Sequence, residues 1–183
     1  EFVRVGTRLA VLEMIQSGTT TFADMYYFEE EVARVAKAAG LRGVLGQTVI
    51  EFPVPDAKTP KDALKRTEAL AKEFAQDDLI TPSIAPHSVY TLDAATLTAA
   101  SDLAKKYNIP IQIHLAETSA ESGLSQDRHK QRPVALLDSL KFWAPVTVAA
   151  HGVWITPDEI ALLKQRHVGI SNNPESNMKL ASG

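Results

Sequence analysis

Short apolar runs, each followed by a stretch with helical spacing, succeed one another through the chain, and this alternation limits the fold more than any other feature. The runs are residues 19–23, 41–46, 79–85, 109–114, 146–150 and 168–171. Each is short, apolar or β-branched, and reads as a strand. The intervening segments read as helices. Val5, Leu9, Leu12 and Ile15 keep helical spacing from Phe2 to Gln16, with Gly18 placed to end that helix. A second helix runs from Phe28 to Ala39 and stops at Gly40. Residues 51–59 carry two prolines and read as a loop; Thr59 and Pro60 then supply a cap and first turn for a helix reaching Gln76. Thr91 to Tyr107 and Pro133 to Leu140 continue the series, and Thr156-Pro157-Asp158-Glu159 opens the last helix with acids where its dipole favours them. Buried strands separated by helices make a parallel sheet covered by helices.

The polar residues gather where strands end and helices have not yet begun. Asp24, His87, His114, Glu117, His151 and Asn172 come from five different strand ends. A doubly wound sheet gathers its ligands at one switch point. Convergence from so many strands fits a (β/α) barrel, whose site lies at the C-terminal rim. A whole barrel needs eight strands and roughly 250 residues. This chain offers about six strands in 183 residues, so it is read as one domain, 1–183: an α/β, partial (β/α)8 TIM barrel with its first and last strands missing. Both ends read as cut.

Composition excludes several classes. A net charge of -3 without a long basic run argues against a nucleic-acid or anionic-membrane surface. No apolar stretch approaches the ~20 residues of a membrane span, and no secretory signal is recognisable, so a cytoplasmic location is expected. With no cysteine, disulfides and thiolate metal sites are impossible, and any metal must be held by imidazole and carboxylate.

The densest chemistry lies in Ile113-His114-Leu115-Ala116-Glu117-Thr118. Strand alternation turns Ile109, Ile111 and Ile113 one way and His114 the other. Glu117 would then fall on the opposite face, so the strand must bend after His114 for both to reach one site. A neutral imidazole is a good zinc or iron ligand, and a nearby carboxylate can move protons. The same residues also describe a surface glutamate after a core histidine. His87 follows Ser83 and Ala85 on its face, and His151 follows Val148-Ala149-Ala150; each alone is as readily structural. Three consecutive strand ends each presenting a histidine favour a shared site. His129 and His167 sit in polar surroundings and are expected to be exposed. Asp24 reads as a loop acceptor. Residues 171–180 are dense in turn formers, able to shape a pocket or simply to form a loop.

Five segments together resemble the amidohydrolase superfamily, nearest its adenosine-analogue deaminases, with chlorohydrolases and guanine deaminases close by. They are Ser17 to Met25, Ala85 to Tyr90, Ile113 to Thr118, Ala150 to Trp154 and Ser176 to Gly183, in the family's order and spanning nearly the whole chain. The resemblance implies that His114 is a metal ligand, Glu117 the proton-shuttling acid and base, His151 a catalytic group beside the attacking water, and His87 a substrate contact. It implies one divalent metal, zinc before iron. It also implies hydrolytic deamination of a purine-type aminated heterocycle. Departures accompany it. The family's His-x-His pair is absent, as is its later aspartate ligand, so only His114 remains of four protein ligands. The usual His-Asn-Pro or His-Cys-Pro of the seventh strand reads Asn172-Asn173-Pro174, and the usual Cys after the sixth-strand histidine is Gly152. No arginine for a substrate carboxylate stands among residues 56–61. The parent protein is therefore expected to be a deaminase with a small-molecule substrate, and this portion inactive alone. The alternatives are a chlorohydrolase or cyclic-amide hydrolase, or a non-catalytic fragment that self-associates into a homo-oligomer through open sheet edges.

Overall fold

The computed structural model describes residues 1–182, which fall into two compact units, 1–85 and 86–183. In the first, α1 (Phe2–Gln16), β1 (Thr21–Tyr26), α2 (Glu29–Ala39), β2 (Arg42–Val49), α3 (Pro60–Glu73) and β3 (Ile80–Pro86) follow one another, β3 running one residue past the boundary. β1 and β2 pair in parallel from Thr21↔Arg42 to Tyr26↔Gln47. Val32, Ala33, Ala36, Leu45, Leu70, Phe74 and Ile80 form the core of this unit, with Val3, Phe22 and Leu79 against it. Each fully buried Leu or Ile side chain contributes about 1.5–3 kcal/mol.

The predicted punctuation is present. Gly40, at φ +77°, ends α2 in the left-handed conformation that glycine adopts without strain, and Leu41 N–H returns to the Ala36 carbonyl at 3.0 Å. Thr59 caps α3 by accepting from Asp62 N–H, with Pro60 in the first turn. One expectation needs refinement. The spaced residues Val5, Leu9, Leu12 and Ile15 are 48–59% exposed, whereas Val11 is buried and Val3 packs on the core. Helix α1 is thus apolar on two sides, and the periodic stripe is its outer one.

The second unit contains α4 (Ala94–Tyr107), β4 (Ile111–Leu115), α5 (Ser119–His129), α6 (Pro133–Ser139), β5 (Thr147–His151), α7 (Pro157–Gln165), β6 (Gly169–Ser171) and α8 (Pro174–Lys179). β4 pairs with β5 in parallel from Ile111↔Thr147 to Leu115↔His151, and β5 with β6 from Val148↔Gly169 to Ala150↔Ser171. Ile111, Ile113, Leu115, Leu97, Leu137 and Phe142 are fully buried. Asp93 caps α4, and Thr156 with Glu159 forms a complete capping box on α7. Repeated parallel β/α units place this chain in the partial TIM-barrel class. Helices α5 and α8 lie in segments too polar to be read as helices from periodicity. His129 is the second refinement: it is half-buried at the end of α5, its Nε2 donating to the Val89 carbonyl at 2.8 Å. His167 is exposed as expected.

Candidate active site

The site lies within the second unit and follows from its register. His114 pairs with Ala150, and His151 pairs with Leu115, so the two histidines stand one residue out of step at the same strand ends. Their rings stack with centroids 5.5 Å apart. His87, just after β3, brings its ring within 4.8 Å of the His114 ring. The three strand-end imidazoles therefore meet.

The bend required after His114 is present. Ala116 has φ +51°, a left-handed turn that a non-glycine residue adopts only at a cost. It reverses the strand's alternation and delivers Glu117 to the histidines: Glu117 Oε1 is 3.4 Å from His151 Nε2. The turn is held from several sides. Gly152 N–H donates to the Leu115 carbonyl at 2.9 Å, and Val153 and Trp154 N–H donate to that of Ala116 at 3.1 and 2.9 Å. Ser182 Oγ donates to the Glu117 carbonyl. Glu121, fully buried, accepts from Glu117 N–H at 2.8 Å. His151 itself has φ +79° and Gly152 φ +62°. A Cβ added at Gly152 would lie 3.1 Å from Ile170 Cγ2, and the positive φ there favours glycine.

Each imidazole has a defined anchor. His114 Nδ1 faces the His87 carbonyl at 2.9 Å, and a carbonyl only accepts, so Nδ1 carries the proton. The same carbonyl accepts His114 N–H at 3.1 Å. This leaves Nε2 as the ligating nitrogen, the arrangement used by metal-bound histidines. Burial, more than any neighbour, holds the His114 pKa below the ordinary histidine value and keeps the ring neutral. Burial, reinforced by His114, lowers His87 to about 4. His87 Nδ1 lies 3.1 Å from both Ser88 Oγ and Thr91 Oγ1. Asn177 is the residue that sequence reasoning did not single out: its Oδ1 is 2.7 Å from His151 Nδ1.

Asp24 lies in the first unit, half-buried within β1, and accepts the N–H of Met25, its neighbour in that strand, at 3.0 Å. Among the described residues no group of three or more His, Cys, Asp or Glu is placed to hold a metal ion. Nε2 of His114 is left open, but the residues present do not by themselves fit a metal centre.

The amidohydrolase family profile matches residues 1–183, and the chain belongs to that family. It is 43% identical over 183 residues to a 5-methylthioadenosine/S-adenosylhomocysteine deaminase of Thermodesulfovibrio yellowstonii, covering all of this chain and 42% of that protein. It is 41% identical over 185 residues to a 5'-deoxyadenosine deaminase of Methanosphaera stadtmanae, covering 100% of this chain and 43% of that one. The crystal structure of an adenosine deaminase from Xanthomonas campestris with bound zinc superposes with a TM-score of 0.96 at 36% identity, over 100% of this chain and 42% of its own. The chain thus spans less than half the length of these relatives.

Proposed function

We propose that this chain is part of a hydrolase that removes ammonia from an aminated purine-type ring of a small nucleoside. The observation that carries this reading is the meeting of Glu117 and His151 beside a histidine whose Nε2 is left free to ligate. The relatives named as adenosine-type deaminases supply the substrate class.

In this reading His114 is one ligand of a divalent ion, zinc before iron, with its other ligands outside residues 1–183; bound there, such an ion supplies acidification of a water. The chain's own residues handle protons and position. Glu117, fixed through its backbone, takes the proton released when water adds to the amino-bearing carbon. It returns that proton to the departing nitrogen, so that the C–N bond breaks and ammonia leaves. His151 lies against Glu117 and shares this proton path. His87, kept neutral by burial, offers a hydrogen bond to the substrate without adding charge. No helix is long and apolar enough to cross a membrane among the described residues.

The test is ammonia release by a full-length version supplied with 5'-deoxyadenosine, methylthioadenosine and S-adenosylhomocysteine, beside chlorinated and cyclic-amide substrates, with metal content measured on the same sample. Metal-dependent ammonia release from the nucleosides is the expected result, with residues 1–183 alone inactive. A metal-free full-length protein that deaminates none of them rejects the reading.

A further inference from the structure

Asn177 bridges two elements that periodicity does not connect. It sits in α8, is 9% exposed, and its amide touches a group on each side. Nδ2 lies 2.5 Å from the Asn172 carbonyl and 3.4 Å from Asn172 Oδ1. Both are acceptors. Turning the amide over would set its oxygen against the Asn172 carbonyl at that same short distance, two acceptors without a proton between them. The amide orientation is therefore determined, and Oδ1 must face His151 Nδ1, 2.7 Å away. Oδ1 only accepts, so Nδ1 must donate.

We propose that Asn177 is a positioning residue that, in the singly protonated ring, locks His151 in the Nδ1–H tautomer and turns Nε2 toward Glu117. His151 is 5% exposed, so water offers little competition for either nitrogen. The consequence is directional. The nitrogen 3.4 Å from Glu117 Oε1 is the one able to receive a proton, so a proton carried by Glu117 has a prepared acceptor beside it. In the opposite tautomer Nε2–H would donate to Glu117 and no acceptor would remain on that side. Only this consequence rests on the proposed deaminase reading; the tautomer itself does not.

The tautomer is read directly. Long-range proton–nitrogen correlation spectra of the chain with 15N-labelled imidazoles, recorded where His151 carries a single proton, distinguish a pyrrole-type from a pyridine-type nitrogen. The wild-type ring is expected to show Nδ1 as pyrrole-type and Nε2 as pyridine-type, well downfield. Asn177→Asp keeps an oxygen facing Nδ1 while giving up the donor to Asn172, and in a protein with a native backbone fingerprint should keep Nδ1 protonated. Asn177→Leu removes it and should move the proton toward Nε2, where Glu117 accepts, bringing the two shifts together or reversing them. A wild-type ring protonated at Nε2 overturns the proposal. So does an Asn177→Leu protein with a native backbone fingerprint and unchanged ring shifts. If Asn177→Leu does not fold, the wild-type ring decides: Nδ1–H supports the lock, and Nε2–H removes it. The measurement involves neither substrate nor metal, so it stands or falls separately from the deaminase assay. In an active full-length enzyme, Asn177→Leu should lower kcat by up to the ~10²–10⁴-fold that general acid–base catalysis contributes, with a smaller change in KM, and Asn177→Asp should recover part of the loss.

Discussion

Glu121 accepts a hydrogen bond from the backbone N–H of Glu117 at 2.8 Å, four residues ahead of it and entirely out of water. Thr118-Ser119-Ala120-Glu121 has the spacing of a capping box, but the threonine makes no side-chain cap bond on α5. The carboxylate reaches one residue further back, to the catalytic candidate itself. Burial raises the Glu121 pKa, opposed by its bonds from Ala116 and Glu117 N–H.

Replacing Glu121 with Leu should therefore do two things. It leaves Glu117 N–H buried without a partner, costing about 1–3 kcal/mol in urea unfolding. It also frees the 116–117 turn, so kcat of a full-length enzyme should fall while KM moves less. A Glu121→Leu enzyme with native kcat would show that the turn is held by Ser182, Val153 and Trp154 alone.

Glu117→Gln keeps the shape of the side chain and removes its ability to accept and return a proton. A loss of ~10²–10⁴-fold in kcat is expected for a full-length enzyme, the usual contribution of a positioned acid or base. The amide fingerprint of the chain should be unchanged, because Glu117's backbone, not its carboxylate, carries the turn's hydrogen bonds. Normal turnover in Glu117→Gln would assign the proton transfer elsewhere.

As a proposed ligand, His114 stands alone among the described residues. Residues 1–183 dialysed against zinc and then desalted should retain no stoichiometric metal, since one imidazole holds an ion poorly. A full-length protein should retain it, and His114→Ala should lower that occupancy. Stoichiometric zinc on residues 1–183 would mean that a ligand set forms here among residues not grouped for it in this structure.

The parts of the fold readable from the sequence are those governed by local rules. Gly40, Thr59 and Thr156 act through their own backbone neighbourhoods, and Ile111 and Ile113 are buried because a parallel strand is covered on both faces. The convergence of His87, His114 and His151 was legible because strand ends in such a fold share one rim. Asn177 and Glu121 were not, because an amide or a carboxylate in a polar stretch looks the same whether it meets water or a histidine from 26 residues away. The outer stripe of α1 was misleading for the opposite reason: periodicity reveals an apolar side, not what lies against it.

That stripe has its own consequence. Phe2, Val5, Leu9, Leu12 and Ile15 are exposed together along α1. An apolar face of this kind promotes association in water. Residues 1–183 should elute larger than a monomer in size-exclusion chromatography at high concentration, and Leu9→Lys with Leu12→Glu should restore the monomer. A concentration-independent monomer for the wild type would dismiss the stripe as an interaction surface.

Glu29 gives the chain a stability that depends on pH. It is fully buried in the first unit; Oε1 accepts Tyr26 N–H at 2.8 Å and Oε2 has no partner. Burial first, and Asp24 second, push its pKa to about 9 from an ordinary 4.5. The carboxyl is therefore protonated in the fold at neutral pH and ionised once unfolded. Between pH 4.5 and 9 the folded state binds the extra proton, so stability is fullest below 4.5 and declines as pH rises through that window. The slope from this one group approaches ~1.4 kcal/mol per pH unit at most. Glu29→Gln cannot titrate and keeps an oxygen for Tyr26 N–H. Urea unfolding of both proteins from pH 5 to 8.5 should show the wild type losing stability relative to Glu29→Gln as pH rises. Parallel curves would mean that the buried carboxyl is ionised in the native protein and finds a partner for Oε2 that this structure lacks.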